Sequence, residues 1–145
     1  MQIILINHAE RDRESGKDDR DQPLHPEKGV KQVNDLVARL REKKVTPTLY
    51  LTSKNVHAKE TAEWVCAALG RDPKKVVVEI DALTPPHRTE SWQDILEQAK
   101  AAGHDLKSYE VVAIVGHFPR LNQLFAYLTW HTVKPRHNII YLRGE

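Results

Sequence analysis

Residues 3–10 read Ile3-Ile4-Leu5-Ile6-Asn7-His8-Ala9-Glu10, a short apolar run that ends abruptly in polar residues. A nearly continuous apolar run of this length, rich in β-branched residues, is typical of a strand covered on both faces of a sheet. In open sheets of this kind, ligands bind beyond the carboxyl ends of the strands. The stretch therefore predicts a buried first strand with His8 at the edge where a ligand would lie.

Four more apolar runs of strand length follow, and amphipathic segments with helical spacing separate them. The predicted strands are 3–6, 48–51, 76–80, 111–115 and 138–142, the last near an edge, and the predicted helices are 26–43, 56–69, 89–102 and 119–128. This alternation predicts an α/β three-layer sandwich, with a mostly parallel central sheet and helices on both faces. We expect residues 1–145 to form a single domain, because no repeat or linker interrupts the pattern.

Composition narrows the class of protein. The 22 Lys and Arg residues nearly balance 20 Asp and Glu residues, which leaves a formal net charge of +2 and gives no reason to expect nucleic-acid binding. The apolar start of the chain is too short for a signal peptide or a membrane span, so we expect a cytoplasmic protein with no membrane partner. With Cys66 as the one cysteine, no intrachain disulfide forms.

A second histidine follows a strand in the same way, within the stretch Val115-Gly116-His117-Phe118-Pro119. The carboxyl ends of parallel strands share one edge, so His8 and His117 should lie together. Pro119 predicts the first turn of a helix, whose free N–H groups attract anions, and Ser53 follows the second strand in front of another helix. Two imidazoles, hydroxyl groups and helix N-termini at one edge predict a site for a phosphate group.

These segments resemble the histidine phosphatase superfamily, and within it the small SixA phosphohistidine phosphatases. The pieces that match in order and spacing are residues 3–10, 23–29 (PLHPEKG), 51–63 (LTSKNVHAKETAE), 83–85 (LTP) and 115–119 (VGHFP). The resemblance covers nearly the whole chain. It implies the phosphoglycerate-mutase-like fold, a phosphatase activity that needs no cofactor, and a phosphorylated protein or a small phosphomonoester as substrate.

The resemblance also implies roles for the two histidines. His8 would be the nucleophile that becomes a transient phosphohistidine, and His117 would hydrogen-bond the phosphoryl oxygens. Neutral imidazole is a competent nucleophile near pH 7, and a backbone carbonyl can fix its tautomer. Small SixA-like members lack the acidic proton donor of the larger mutases, so we assign no general acid and keep Glu10, Asp12 and Asp81 only as spare candidates.

At three positions the chain departs from the family pattern. Asn7, Gln22 and His57 stand where the family has arginine, although we still expect all three to line the phosphate site. A hydrogen bond to a charged group contributes about 1.5–3 kcal/mol, and neither asparagine nor histidine reproduces the bidentate geometry of arginine. Losing two such contacts would remove roughly 3–6 kcal/mol of transition-state stabilisation, or about 10²–10⁴ in rate.

Three interpretations follow from these departures. In the first, the protein is a phosphatase with weak or altered activity, and other cations fill the pocket: Arg11 and Arg88 foremost, with Arg13 and Arg120 near the same loops. A protonated His57 would also help, and activity would then favour acid pH.

In the second interpretation, the domain is a catalytically inactive pseudophosphatase that binds a phosphorylated ligand or a partner protein. In the third, His8, His57 and His117 surround a space of phosphate size and hold a metal ion, since three imidazoles with an open position resemble a catalytic zinc site. Glu10 would then be a further ligand or would support one.

Overall fold

All five predicted strands are present in the computed structural model, which describes residues 1–84, 92–117, 120–131 and 139–143. They are β1 (Gln2–Asn7), β2 (Leu49–Thr52), β3 (Val77–Glu79), β4 (Val111–Gly116) and β5 (Ile139–Arg143). The sheet order is β3-β2-β4-β1-β5, and every neighbouring pair is parallel. The predicted parallel sheet is thus confirmed, with the last strand at an edge.

The predicted helices are also present, with shifted ends. They are α1 (Lys28–Glu42), α2 (Val56–Ala68), α4 (Trp92–Ala101) and α5 (Arg120–His131); the sequence patterns missed the one-turn helix α3 (Pro73–Val76) and three 3-10 turns at Asp19–Asp21, Asp81–Leu83 and Leu106–Ser108. Within the described ranges, no helix has the length and apolar character needed to cross a membrane.

Helix α1 begins two residues later than its proline predicted. The Nδ1 atom of His25 accepts hydrogen bonds from the backbone N–H groups of Glu27 and Lys28, at 3.2 and 3.1 Å. These N–H groups would otherwise lack partners at the start of a helix. His25 therefore caps α1, and Pro26 belongs to the turn in front of it.

Alternate residues of β1 enter two separate cores. Ile4 and Ile6 face one side of the sheet and pack in a cluster with α1 and α2, including Leu36 and Val65. Ile3 and Leu5 face the other side, in a cluster that includes residues of α4 and α5. Since successive side chains of a strand point to opposite faces, this pattern makes the chain a three-layer sandwich, as predicted.

The register of β1 and β4 aligns the strand ends that carry the two histidines. Asn7 pairs with Gly116, the last residue of β4, and the N–H of His8 donates to the Gly116 carbonyl at 3.0 Å. The N–H of Ser53, just beyond β2, donates to the Val115 carbonyl at 3.2 Å. The ends of three adjacent strands therefore meet at one edge, which is where the candidate site lies.

Candidate active site

His8 is held in one tautomer by the backbone. Its ring is almost completely buried, and Nδ1 lies 2.7 Å from the carbonyl oxygen of Ala9. A carbonyl oxygen only accepts hydrogen bonds, so Nδ1 carries the proton. In the neutral ring, the lone pair is therefore on Nε2, the nitrogen that faces His117. This is the state required of a histidine nucleophile.

His117 lies directly against this nitrogen. The distance from His8 Nε2 to His117 Nδ1 is 3.1 Å, the ring centroids are 5.3 Å apart, and the ring planes differ by 3°. Because the neutral His8 ring keeps its proton on Nδ1, its Nε2 can only accept, so His117 Nδ1 donates the hydrogen bond between the rings. The structure thus brings together the two histidines that the sequence predicted, and His117 is half-buried directly after β4.

His57 is the third imidazole of the site and is fully buried in the first turn of α2. Its ring centroid lies 4.4 Å from that of His8, with an interplanar angle of 64°. Nδ1 donates to the backbone carbonyl of Gln22 at 3.0 Å. Nε2 is buried and has no hydrogen-bond partner within the described part of the chain.

The charge state of His57 differs from the prediction. Burial, followed by the nearby His8 ring, lowers the pKa of His57 from its ordinary 6.5 to about 3, and the charge of Arg11 and the ring of His117 act in the same direction. The hydrogen bond to Gln22 opposes this shift without reversing it. His57 is therefore neutral between pH 5 and 8. The expectation that a protonated His57 replaces an arginine is therefore wrong.

A single hydroxyl group connects the loop after His8 to the helix that carries His57. Thr61 Oγ1 donates to the His57 carbonyl at 2.7 Å and accepts from the N–H of Ala9 at 3.1 Å. Sequence reasoning missed Thr61, although it lies four residues after His57, the spacing at which a helical threonine bonds back to a carbonyl. Thr61 therefore links the backbone next to His8 to the backbone of His57.

Gln22 reaches the site through a short antiparallel contact between two loops. Arg11 and Leu24 form an isolated bridge, and the N–H of Asp12 donates to the Pro23 carbonyl at 2.7 Å. This pairing brings the Gln22 carbonyl to His57. The Gln22 side chain is buried, and its Nε2 donates to the Lys17 carbonyl at 3.2 Å, while its Oε1 has no hydrogen-bond partner in the ranges that the structure describes.

The two remaining uncharged residues predicted to bind phosphate lie at the same edge. Asn7 is buried as the last residue of β1, directly before His8. Ser53 is fully buried beyond β2, and no described residue hydrogen-bonds its Oγ.

Among the predicted cations, Arg11 lies near the site. Its side chain is 18% exposed, its Nη1 is 3.9 Å from an Asp19 carboxylate oxygen, and its charge contributes to the lowered pKa of His57. Arg13 is exposed on the loop that follows. Arg88, Pro119 and the side chain of Arg120 lie outside the described residues.

Two of the spare carboxylates lie near cations. A Glu10 carboxylate oxygen lies 4.0 Å from Lys28 Nζ, and an Asp81 oxygen lies 3.3 Å from Lys54 Nζ. For the metal interpretation, the part of the chain that the structure describes contains no group of three or more His, Cys, Asp or Glu residues arranged to hold an ion. The three-histidine cluster therefore finds no support as a metal site.

Three solved structures that superpose on this chain are named as phosphatases. No protein-family model matches the sequence, and no curated protein matches it significantly. The chain superposes on a protein histidine phosphatase SixA complexed with tungstate, with a TM-score of 0.70, 21% identity, and coverage of 88% of this chain and 76% of the other.

Two further structures agree with this match. A putative phosphohistidine phosphatase SixA from Agrobacterium tumefaciens gives a TM-score of 0.61 at 22% identity, over 86% of this chain and 75% of that one. A putative alpha-ribazole-5'-P phosphatase from Escherichia coli K-12 gives 0.60 at 20% identity, over 94% and 82%. The predicted phosphoglycerate-mutase-like fold is thereby confirmed.

Proposed function

We propose that this chain, which has the fold of the SixA phosphatases, is itself a histidine phosphatase that hydrolyses a phosphohistidine or a phosphomonoester through His8. The observation that carries the proposal is the pair of contacts made by the His8 ring. Nδ1 is bound to the Ala9 carbonyl at 2.7 Å, and Nε2 lies 3.1 Å from His117 Nδ1. A nucleophilic nitrogen with a fixed tautomer therefore stands beside a group that can bind a phosphoryl oxygen.

In the first half of the reaction, the lone pair of His8 Nε2 attacks phosphorus. A P–N bond forms, the bond from phosphorus to the leaving group breaks, and the leaving group takes a proton from water. The N–H of His117 turns from His8 Nε2 to a phosphoryl oxygen, where it balances the charge that develops there. His8 Nδ1 keeps its proton and donates it to the Ala9 carbonyl, which stabilises the positive charge of the phosphorylated ring.

In the second half, water attacks the phosphorus atom of the phosphorylated His8. The P–N bond breaks, one proton of the water stays with the inorganic phosphate that leaves, the other neutralises the hydroxide left when the leaving group was protonated, and His8 regains its Nε2 lone pair. Because Asn7, Gln22 and a neutral His57 replace cationic side chains, we expect turnover to be slower by about 10²–10⁴ than in a site that keeps two arginine contacts.

Hydrolysis of p-nitrophenyl phosphate and of a phosphohistidine peptide tests the proposal. His8→Ala should abolish both activities, whereas His104→Ala should retain them, because His104 bonds Tyr109 Oη away from the site. Mass spectrometry of acid-protected digests should detect one phosphoryl group on the peptide from Met1 to Arg11. Full activity of folded His8→Ala would overturn the proposal.

A second candidate function is binding without turnover. The neutral, buried His57 favours it, because this ring supplies no positive charge to stabilise a transition state. In that case, His104→Ala would bind tungstate or phosphate with unchanged affinity, and His117→Ala would not bind them. The wild type would hydrolyse neither substrate between pH 5 and 8.

A further inference from the structure

Two buried acceptor atoms of the candidate site find no donor among the described residues. They are Nε2 of His57, whose residue is 0% exposed, and Oε1 of Gln22, whose residue is 6% exposed. Buried polar groups of folded proteins are almost always paired, and one that is not calls for an explanation such as a ligand. Both residues belong to the set predicted to line a phosphate site.

The hydrogen bonds of His57 decide which kind of group its Nε2 can bind. Its Nδ1 proton is committed to the Gln22 carbonyl, which cannot donate. A second proton on Nε2 is disfavoured by burial and by the charged or chargeable groups that face the ring: His8, His117 and Arg11. Nε2 therefore offers a lone pair where the family pattern has an arginine that offers N–H groups.

A lone pair and a phosphoryl oxygen without a proton repel each other, since both are acceptors. A phosphoryl oxygen that carries a proton is a donor and pairs with Nε2. The second proton of a phosphomonoester is lost with a pKa of about 6, so the protonated monoanion is available near neutral pH. Sulfate has the same tetrahedral shape but carries no proton in this range.

We propose that His57 Nε2 accepts a hydrogen bond from a P–OH group, so that the site selects phosphate groups that carry a proton and rejects unprotonated tetrahedral dianions. This inference rests on the proposed phosphate site at His8 and His117 and names the form of phosphate that the site takes. His57 is then a residue that determines specificity, and its lone pair does the discriminating.

Titration calorimetry of the full chain with sodium phosphate and with sodium sulfate tests this inference. At about pH 6 we expect phosphate to bind more tightly than sulfate by on the order of 10-fold to 100-fold, the effect of an unpaired buried acceptor. At about pH 8 the preference should persist, because inorganic phosphate still carries one proton there and sulfate carries none. Both anions meet the same protein groups at each pH, so the ratio of their affinities isolates the proton that phosphate carries.

A substitution at His57 tests whether this residue itself causes the preference for phosphate over sulfate. In His57→Gln the amide can donate or accept, so sulfate should gain affinity and the preference should fall to within about 3-fold. His104→Gln is the matched control and should keep the wild-type preference. If His57→Gln does not fold, as judged by circular dichroism, the wild-type ratio at both pH values decides the question alone.

Three results would overturn the inference. They are equal affinity of the wild type for both anions at about pH 6, an unchanged preference in folded His57→Gln, and no binding of either anion. A protein that hydrolyses p-nitrophenyl phosphate yet binds both anions alike would keep the proposed function and lose this inference. A protein that prefers phosphate but turns nothing over would keep the inference and lose the hydrolysis.

Discussion

Acidification should destabilise the fold through His57. The pKa of this ring is lowered to about 3 in the folded chain, from an ordinary value of 6.5 that the unfolded chain should show. Between these values the unfolded state binds a proton that the native state does not bind. The stabilisation from a neutral His57 is therefore complete above about pH 6.5 and is lost as the pH falls toward 3.

The size of the effect follows from this window. Each pH unit below 6.5 removes about 1.4 kcal/mol from the free energy of unfolding, until the native ring itself takes up a proton. Lowering the pH from about 7.5 to about 5 should therefore remove about 2 kcal/mol through His57 alone. With a urea dependence of about 2 kcal/mol per molar, the unfolding midpoint should fall by about 1 M.

His57→Asn provides the comparison. The amide of asparagine can donate to the Gln22 carbonyl in place of Nδ1, and it does not titrate. Carboxylates that respond to acid act alike in both proteins, so they cancel in the difference. Urea unfolding at the two pH values should show that the wild type loses about 2 kcal/mol more than the variant. Equal losses, or a larger loss in the variant, would mean that the native ring is protonated and would refute the reasoning.

Three more predictions concern the elements that hold the site. Thr61→Val should lower the free energy of unfolding by about 1–3 kcal/mol, because the buried N–H of Ala9 loses its acceptor. Gly29→Ala should lower the free energy of unfolding by about 1–3 kcal/mol, although alanine favours helices. The reason is that the added Cβ would lie 2.7 Å from the Glu10 carbonyl oxygen. Cys66 is buried and its pKa is raised by burial to about 11, so an aromatic disulfide reagent near pH 8 should label it only after unfolding.

Two of these predictions have a matched control variant. Thr48→Val removes a half-buried hydroxyl that bonds the Val111 carbonyl, and it should destabilise less than Thr61→Val. Ala38 is exposed on α1, and Ala38→Gly should lower the free energy of unfolding by no more than about 1 kcal/mol, the effect of helix propensity alone. Any of three results would contradict the packing described. They are stabilisation by Gly29→Ala, no difference between the two threonine variants, and rapid labelling of native Cys66.

Much of the fold was predictable because the signals are local. The apolar run at Ile3–Ile6 and its counterparts fixed the strands, since a strand buried on both faces must be apolar throughout. Helix α1 begins at Lys28 and not at Pro26, because the His25 side chain caps it there. A capping interaction of a histidine side chain is not visible in the spacing of apolar residues. The one-turn helix α3 was missed because four residues are too few to show a period.

For the site, the sequence by itself determined which residues meet. His8 and His117 each follow a strand, and parallel strands bring their carboxyl ends to one edge whatever the loops do. Only the tertiary structure decided what those residues can do. A charge state depends on burial and on neighbours distant in the chain, so the carbonyl of Gln22 and the ring of His8, which are far from His57 in sequence, turn a presumed cation into a neutral acceptor.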